Sequence, residues 1–259
     1  MPPITPLTKR LIVLNAIVFV LMMVLSFSPT ILVGVVRWFG ITPDMWFPLP
    51  PVWQLVTYGF MHDTGGLSHL LFNMLGLFFF GSMVEREVGS RRMGIAYFGA
   101  MFAGGFAHLI AGWIGNGATP ALGASGAVLG ILVAAAVLQP NAKVIFIIFP
   151  MTLKVLVTIV VAMDAFALLT AFRDGGGDGV AHWVHLGGAA FGFIWARMGF
   201  IHVDWQERHR QKRQQASHQQ ELDANLHMDE LLVKIQKQGI TSLSDKERTF
   251  LKEMSERRK

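Results

Sequence analysis

Apolar residues recur along the first 200 positions in six long runs: Leu11–Phe27, Leu67–Val84, Met93–Ile114, Ala121–Leu138, Val144–Phe172 and Trp183–Met198. A helix needs about 20 mostly apolar residues to cross the hydrocarbon core of a bilayer, and every run approaches or meets that length. The fifth run is overlong and contains Lys154, which puts the start of its span near Val155. The pattern breaks over residues 29–66, which hold Pro29, Pro43, Pro48, Pro50 and Pro51 and the pairs Trp38-Phe39 and Trp46-Phe47. Few charges and several tryptophans there predict an interfacial element in the headgroup layer. Lys9 and Arg10 precede the first run as they would in a signal peptide. The run is long, however, and ends in Ser26-Phe27-Ser28-Pro29-Thr30 without an Ala-x-Ala-like site, which predicts a retained helix.

Composition sharpens this picture. Of 259 residues, 53% are hydrophobic and 15% charged, whereas soluble domains carry about a quarter charged residues. The first 200 residues hold 10 Lys and Arg and 7 Asp and Glu, against 12 and 10 in the last 59. Two units follow: a membrane body over 1–200 and a charged tail over 201–259. A secreted disulfide scaffold and a wholly disordered chain are excluded. The absence of cysteine removes thiol catalysis and Cys-ligated metal sites. The basic residues divide by side. Alternate helix ends carry Lys9, Arg10, Arg86, Arg91, Arg92, Lys143, Lys154 and Arg197, then the cluster Arg208, Arg210, Lys212 and Arg213. The opposite ends carry only Arg37 and Arg173. Positive residues stay cytoplasmic, so both termini are expected in the cytoplasm, and the net charge of +5 reads as topology and not as a nucleic-acid footprint.

With that orientation, runs two, four and six enter from the outer face, and the unusual polar residues lie near their starts. His69 and Asn73 open the second run, Ser125 the fourth, and His182 and His185 the sixth. At about 1.5 Å per residue they lie within one or two turns of one surface. His69 and Asn73, four residues apart, share a helix face. Each has an ordinary explanation taken alone: a serine back-bonding to its own helix, an interfacial histidine, an asparagine bonded to a neighbouring helix. Their common depth argues for chemistry, since polar groups inside a membrane are costly. Ser125 lies in Gly123-Ala124-Ser125-Gly126, with Gly117 and Pro120 upstream. A helix start there offers N–H donors to an oxyanion. His185 precedes Gly188 and Gly192, a small-x-x-x-small face that lets another helix pack close. If that helix is the fourth run, a neutral His185 can take the serine proton. No carboxylate lies in an obvious position to orient the histidine: Asp164 is mid-span, and Asp174 and Asp178 are in a loop. The expectation is a Ser–His dyad, with no cofactor and no metal.

His69-Leu70-Leu71-Phe72-Asn73, Gly123-Ala124-Ser125-Gly126 and His185-x-x-Gly188-x-x-x-Gly192, in this order, together resemble the H-x-x-x-N, G-x-S-G and H-x-x-G-x-x-x-G motifs of the rhomboid family of intramembrane serine proteases. The resemblance covers about residues 5–200. It implies an all-α membrane protein, a six-transmembrane-helix bundle to which the charge pattern adds a cytoplasmic helical tail, acting as a serine endopeptidase on transmembrane protein substrates in the bilayer. Ser125 is then the nucleophile and His185 the general base. His69 and Asn73 help to hold the oxyanion with backbone N–H groups around Ser125, that of Ala124 among them. Glu85 resembles a structural acid tying neighbouring helices together. Family members often carry Trp-Arg before the second helix, where this chain has Trp53-Gln54, which puts loop anchoring in doubt. Some place an aromatic residue one turn after the serine, where this chain has Leu129.

The remaining polar residues are read individually. His62 is either a solvated loop residue or one that wets the site, His182 is interfacial or lines a water cavity, His108 packs a helix, and Asn15 makes an interhelical hydrogen bond. A site a few ångströms below the outer surface opens to outside water. A substrate helix must unwind to expose its carbonyls, which favours helix-weakening residues near the cut. The expected location is a plasma or inner membrane, multi-pass. Competing readings are a catalytically inactive relative that binds or escorts membrane proteins, and a transporter. The inactive relatives typically lack the serine or histidine, and visible repeats and paired charges are missing for a transporter. In the tail, Asp229–Lys237 is expected to form one short helix, Gly239 to end it, and Ser244-Asp245-Lys246-Glu247 to cap a second. A solvated extension, or one that binds a partner or anionic lipid, fits its charge.

Overall fold

The computed structural model describes residues 3–46, 50–115, 120–146, 149–174, 180–239 and 242–257. Phe47, Pro48, Gly117 and Asp178 lie outside the described residues, as do the side chains of Asp174, Arg208, Arg210, Lys212 and Arg213. The chain divides into two compact units, residues 1–200 and 201–259.

Among the described residues of the first unit, four helices are long and apolar enough to cross a membrane: α1 (Pro6–Leu25), the helix Ser68–Val88, α6 (Ser90–Trp113) and Leu153–Ala171 within α8 (Leu153–Asp174). Ser68–Val88 comprises α4 (Ser68–Gly76), a π turn over Leu77–Gly81 and α5 (Ser82–Val88). A shorter apolar helix, α7 (Ser125–Leu138), begins at the candidate serine. The sixth apolar run begins α9 (His182–Gln238). Apolar side chains cover the outside: Phe106 on α6 and Met163, Phe166 and Leu169 on α8 are all more than half exposed. Buried polar groups such as Thr8, Asn15, Asn73 and Glu85 lie within. Such an inverted pattern suits a protein whose solvent is lipid. It is an all-α membrane bundle.

One difference from the expected layout has a local cause. The fifth run does not begin as a helix: Lys143–Phe146 (β1) and Phe149–Thr152 (β2) form an antiparallel hairpin, and α8 starts at Leu153. Both strands are rich in β-branched and aromatic residues, which apolar periodicity alone cannot tell from helix. Residues 29–66 form α2 (Pro29–Phe39), α3 (Gln54–Thr57) and 3-10 turns at Pro43–Trp46 and Tyr58–Phe60, none of spanning length. Asn15 donates to the carbonyl of Leu11 in its own helix at 2.8 Å, and its amide also faces the Tyr97 hydroxyl of α6.

The segment expected to be poorly anchored is held tightly. Gln54 is fully buried. Its Oε1 accepts from the Thr42 N–H (3.1 Å) and Trp46 Nε1 (3.0 Å), and its Nε2 donates to the carbonyls of Arg37 (3.0 Å) and Trp38 (3.3 Å). Trp53 stacks on Trp38 with ring centroids 5.9 Å apart and donates to the Trp38 carbonyl. A glutamine that both accepts and donates therefore does the anchoring. At the other end of the bundle, Glu85 accepts from the N–H groups of Leu7 and Thr8 (both 2.9 Å) and from hydroxyls of Thr5, Thr8 and Ser90. It joins the starts of α1 and α6, which is the structural role expected of it.

In the second unit, the expected helix Asp229–Lys237 is the closing part of α9, and Gly239 with φ +81° ends it. α10 (Asp245–Arg257) opens on a reciprocal cap, with the Ser244 N–H donating to Glu247 Oε2 at 2.7 Å and the Glu247 N–H to Ser244 Oγ at 3.4 Å. Lys234 of α9 pairs with Glu247 at 2.9 Å.

Candidate active site

The loop before α7 is fixed from two sides. Ile41 and Ala121 exchange both backbone hydrogen bonds, at 3.0 and 2.9 Å, and the Gly123 N–H donates to the Tyr58 carbonyl at 2.9 Å. Gly123 has φ +119°, and a Cβ there would stand 2.7 Å from His69 Nε2 and 3.7 Å from Ser125 Oγ. Only glycine fits that conformation and that gap. His69 is thereby brought beside the serine. Ala124 precedes α7 with helical dihedrals and is buried, and its carbonyl accepts the first intrahelical bond from the Val128 N–H at 2.9 Å. The N–H groups of Ser125, Gly126 and Ala127 come before that bond, so they are the donors a helix start leaves for an anion.

Opposite, α9 lies against α7 at very short range. A Cβ on Gly188 would stand 2.1 Å from the Gly126 carbonyl oxygen, one on Gly192 2.1 Å from that of Gly130, and one on Gly130 2.7 Å from that of Gly188. The Gly188/Gly192 face therefore meets a matching Gly126/Gly130 face on α7, a partner not picked out in the sequence. Gly104 of α6 meets the Val184 carbonyl in the same manner. This packing brings His185 Nε2 to 2.7 Å from Ser125 Oγ.

A carboxylate does face the histidine. Asp164, from the middle of α8, lies with Oδ1 3.0 Å and Oδ2 3.1 Å from His185 Nδ1, and with Oδ1 2.6 Å from His182 Nδ1. This corrects the expectation that no acid orients His185. His182, expected at the interface or lining a water cavity, is buried and lies against Asp164. A signal existed: His182 and His185, three residues apart, share the face of α9 that a lone acid in the preceding apolar run can reach. Asp164, His182 and His185 are also the described residues that could hold a metal ion, their ligand atoms lying within 4.8 Å of one another. Two ligands of one tetrahedral zinc stand about 3.3 Å apart. The 3.0 Å to His185 is an ordinary N–H···O length and the 2.6 Å to His182 a short one, both below the spacing of two zinc ligands, so the group is read as hydrogen-bonded.

Asn73 donates to the carbonyl of His69 at 2.8 Å, so one of its two amide protons is used within its own helix. His62 is completely buried, which overturns the solvated reading, and its ring meets that of His69 edge-on at 5.0 Å. Burial, and then the charge of His69, push the His62 ring down to about 4, so it is neutral at pH 7. His108 is buried in α6, as a packing residue would be. Leu129 is buried too.

The structure is thus a membrane helical bundle with a serine at a helix start, hydrogen-bonded to a histidine across a glycine interface. Residues 50–202 match the Rhomboid domain, and the chain belongs to the rhomboid family. Residues 208–257 match a family of unknown function, DUF6576. The chain is similar to RHOMBOID-like protein 4 of Arabidopsis thaliana, at 35% identity over 59% of this chain and 36% of that protein. It is similar to Rhomboid protein 1, mitochondrial, of Saccharomyces cerevisiae, at 32% over 58% and 42%. With the human Presenilin-associated rhomboid-like protein, mitochondrial, it shares 27% identity over 76% and 49%. The matched part amounts to half or less of the length of these relatives.

Proposed function

We propose that this protein is an intramembrane serine endopeptidase that hydrolyses peptide bonds in or near the transmembrane segments of other proteins. The observation that carries the reading is the 2.7 Å contact between Ser125 Oγ and His185 Nε2 at the start of α7. Ser125 Oγ attacks the scissile carbonyl carbon as its proton passes to His185 Nε2. The oxyanion faces the first-turn N–H groups of α7, with His69 beside them and Asn73 one turn further along α4. Collapse transfers the proton from Nε2 to the leaving amine, and a water activated by the same nitrogen cleaves the acyl ester. The substrates are single-span proteins with a small residue at the cut and helix breakers near it, since a helix hides its carbonyls.

The charge distribution supports a multi-pass protein of a plasma or inner membrane with both termini cytoplasmic and the site open to the outer face. Two of the named relatives are mitochondrial by name, so reporter fusions at both ends, in the native host, test this placement. For the activity, the full chain is purified in detergent and given a single-span reporter, alongside Ser125→Ala and His185→Ala. Both variants are expected to be inactive. Undiminished cleavage by either rejects the reading.

A further inference from the structure

We infer that Asp164 is a positioning residue for the general base, so that the hydrolytic group is a Ser125–His185–Asp164 triad and not a dyad. The inference rests on the proposed roles of Ser125 and His185. Both Asp164 oxygens lie within 3.1 Å of His185 Nδ1, on the side of the ring opposite Ser125. Such an aim is specific. Asp164 is the sole acid of the α8 sequence before Asp174, and its neighbours Met163 and Phe166 are 66% and 68% exposed. Its own side chain is 11% exposed, turned away from the apolar surface and onto the two histidines. A carboxylate inside a membrane protein is costly unless its oxygens find donors. The rings supply them.

The consequence for His185 follows from acceptor chemistry. An ionised carboxylate only accepts, so the proton facing it must sit on Nδ1 of each ring. In neutral His185 that leaves the lone pair on Nε2, directed at the Ser125 hydroxyl, which is the tautomer a general base needs. Without the carboxylate, either tautomer is open, and Nε2–H facing the serine is inert as a base. His182 supplies the second donor to Oδ1, fixing the carboxylate as the carboxylate fixes the base. Among the described residues, the other ionisable groups facing His185 are His182 on its own helix and His69 of α4. Neither is an acceptor-only group, so neither can replace Asp164.

The test uses the full chain in detergent with the single-span reporter. Asp164→Asn keeps the shape but can present N–H₂ to Nδ1 and select the wrong tautomer. Its kcat, and the rate at which a fluorophosphonate labels Ser125, are expected to fall by about 10²–10⁴-fold, the range for loss of a general base. KM is expected to stay within about threefold, because no substrate contact is lost. Asp164→Glu should recover part of kcat. Wild-type kcat in Asp164→Asn, with Ser125→Ala and His185→Ala inactive, overturns the inference and leaves the dyad standing. Activity in those two alanine variants removes the reading beneath it. A fall in melting temperature with no kcat change also overturns it, leaving only a tether between α8 and α9. Should Asp164→Asn not fold, the nitrogen shifts of ¹⁵N-histidine wild type decide. Neutral His185 protonated at Nδ1 supports the inference, and protonation at Nε2 refutes it.

Discussion

Gly188→Ala is the substitution that most directly probes how the fold makes the site. The added methyl would stand 2.1 Å from the Gly126 carbonyl oxygen, where real Cβ atoms come no nearer than 3.0 Å. The obstacle is backbone, so α7 and α9 must part by about 1 Å, and overpacking of this kind costs about 1–3 kcal/mol. Gly126 follows Ser125 and Gly188 is three residues from His185, so the parting acts on the reacting pair. A contact of 2.7 Å would open to about 3.7 Å, beyond hydrogen-bond range. Misplacement by 1 Å can cost about 10²-fold in rate. Gly192→Ala is the control: its clash with the Gly130 oxygen is equally short, but it acts about 10 Å along α9 from His185. Both variants should lose a similar melting increment in detergent, while kcat on a single-span reporter falls about 10²-fold in Gly188→Ala and much less in Gly192→Ala. Wild-type kcat in Gly188→Ala, or equal losses in the two, would refute the claim that this glycine contact sets the Ser–His distance.

Three further outcomes follow from the buried polar contacts. Gln54→Ala strands the Thr42 N–H and the Trp46 indole N–H, at about 1–3 kcal/mol for each buried donor left unpaired, and should lower the melting temperature by several degrees. Gln54→Arg should be no better, since guanidinium accepts nothing; an unchanged melt in either variant would contradict the anchoring role. Glu85→Gln keeps a single acceptor oxygen for a site that now receives five hydrogen bonds, so hydrogen exchange at Leu7 and Thr8 should rise sharply, and protection equal to wild type would count against the tie. His62 has a folded pKa of about 4 against 6.5 unfolded, so its contribution is fully present above pH 6.5 and is lost as pH falls toward 4. That shift corresponds to roughly 3 kcal/mol, and His62→Phe should make melting less sensitive between pH 7 and pH 4.5 than wild type, a difference whose absence would argue against a neutral buried ring.

Most of the bundle was legible because its helices are long and their apolar runs uninterrupted. The reading of α1, Ser68–Val88 and α6 needed only length and hydropathy, and the cap at Ser244 and the stop at Gly239 needed only local chemistry. The 143–152 hairpin escaped because a short apolar run looks alike in strand and helix, and strand pairing is decided by a partner segment. Gln54 escaped for a related reason. Its worth lies in four partners spread over residues 37–46, which converge only once the loop is folded.

The site divides along the same line. Ser125 and His185 sit in glycine contexts, and glycine at spaced positions is a local mark of close helix contact. The sequence therefore carried both residues and the helix face that joins them. Asp164 carries no such mark: its neighbours are Met163 and Ala165, and nothing in that stretch says which way the carboxylate turns. Its direction comes from α9, where His182 and His185 offer two N–H donors on one face. A charge in an apolar helix is itself a question about donors, because lipid supplies none and the protein must. Asked of Asp164, that question has few answers, since the histidines opening the next apolar run are among the rare donors within reach. The carboxylate finds its donors in the two histidines, and one of these is turned with Nε2 toward Ser125.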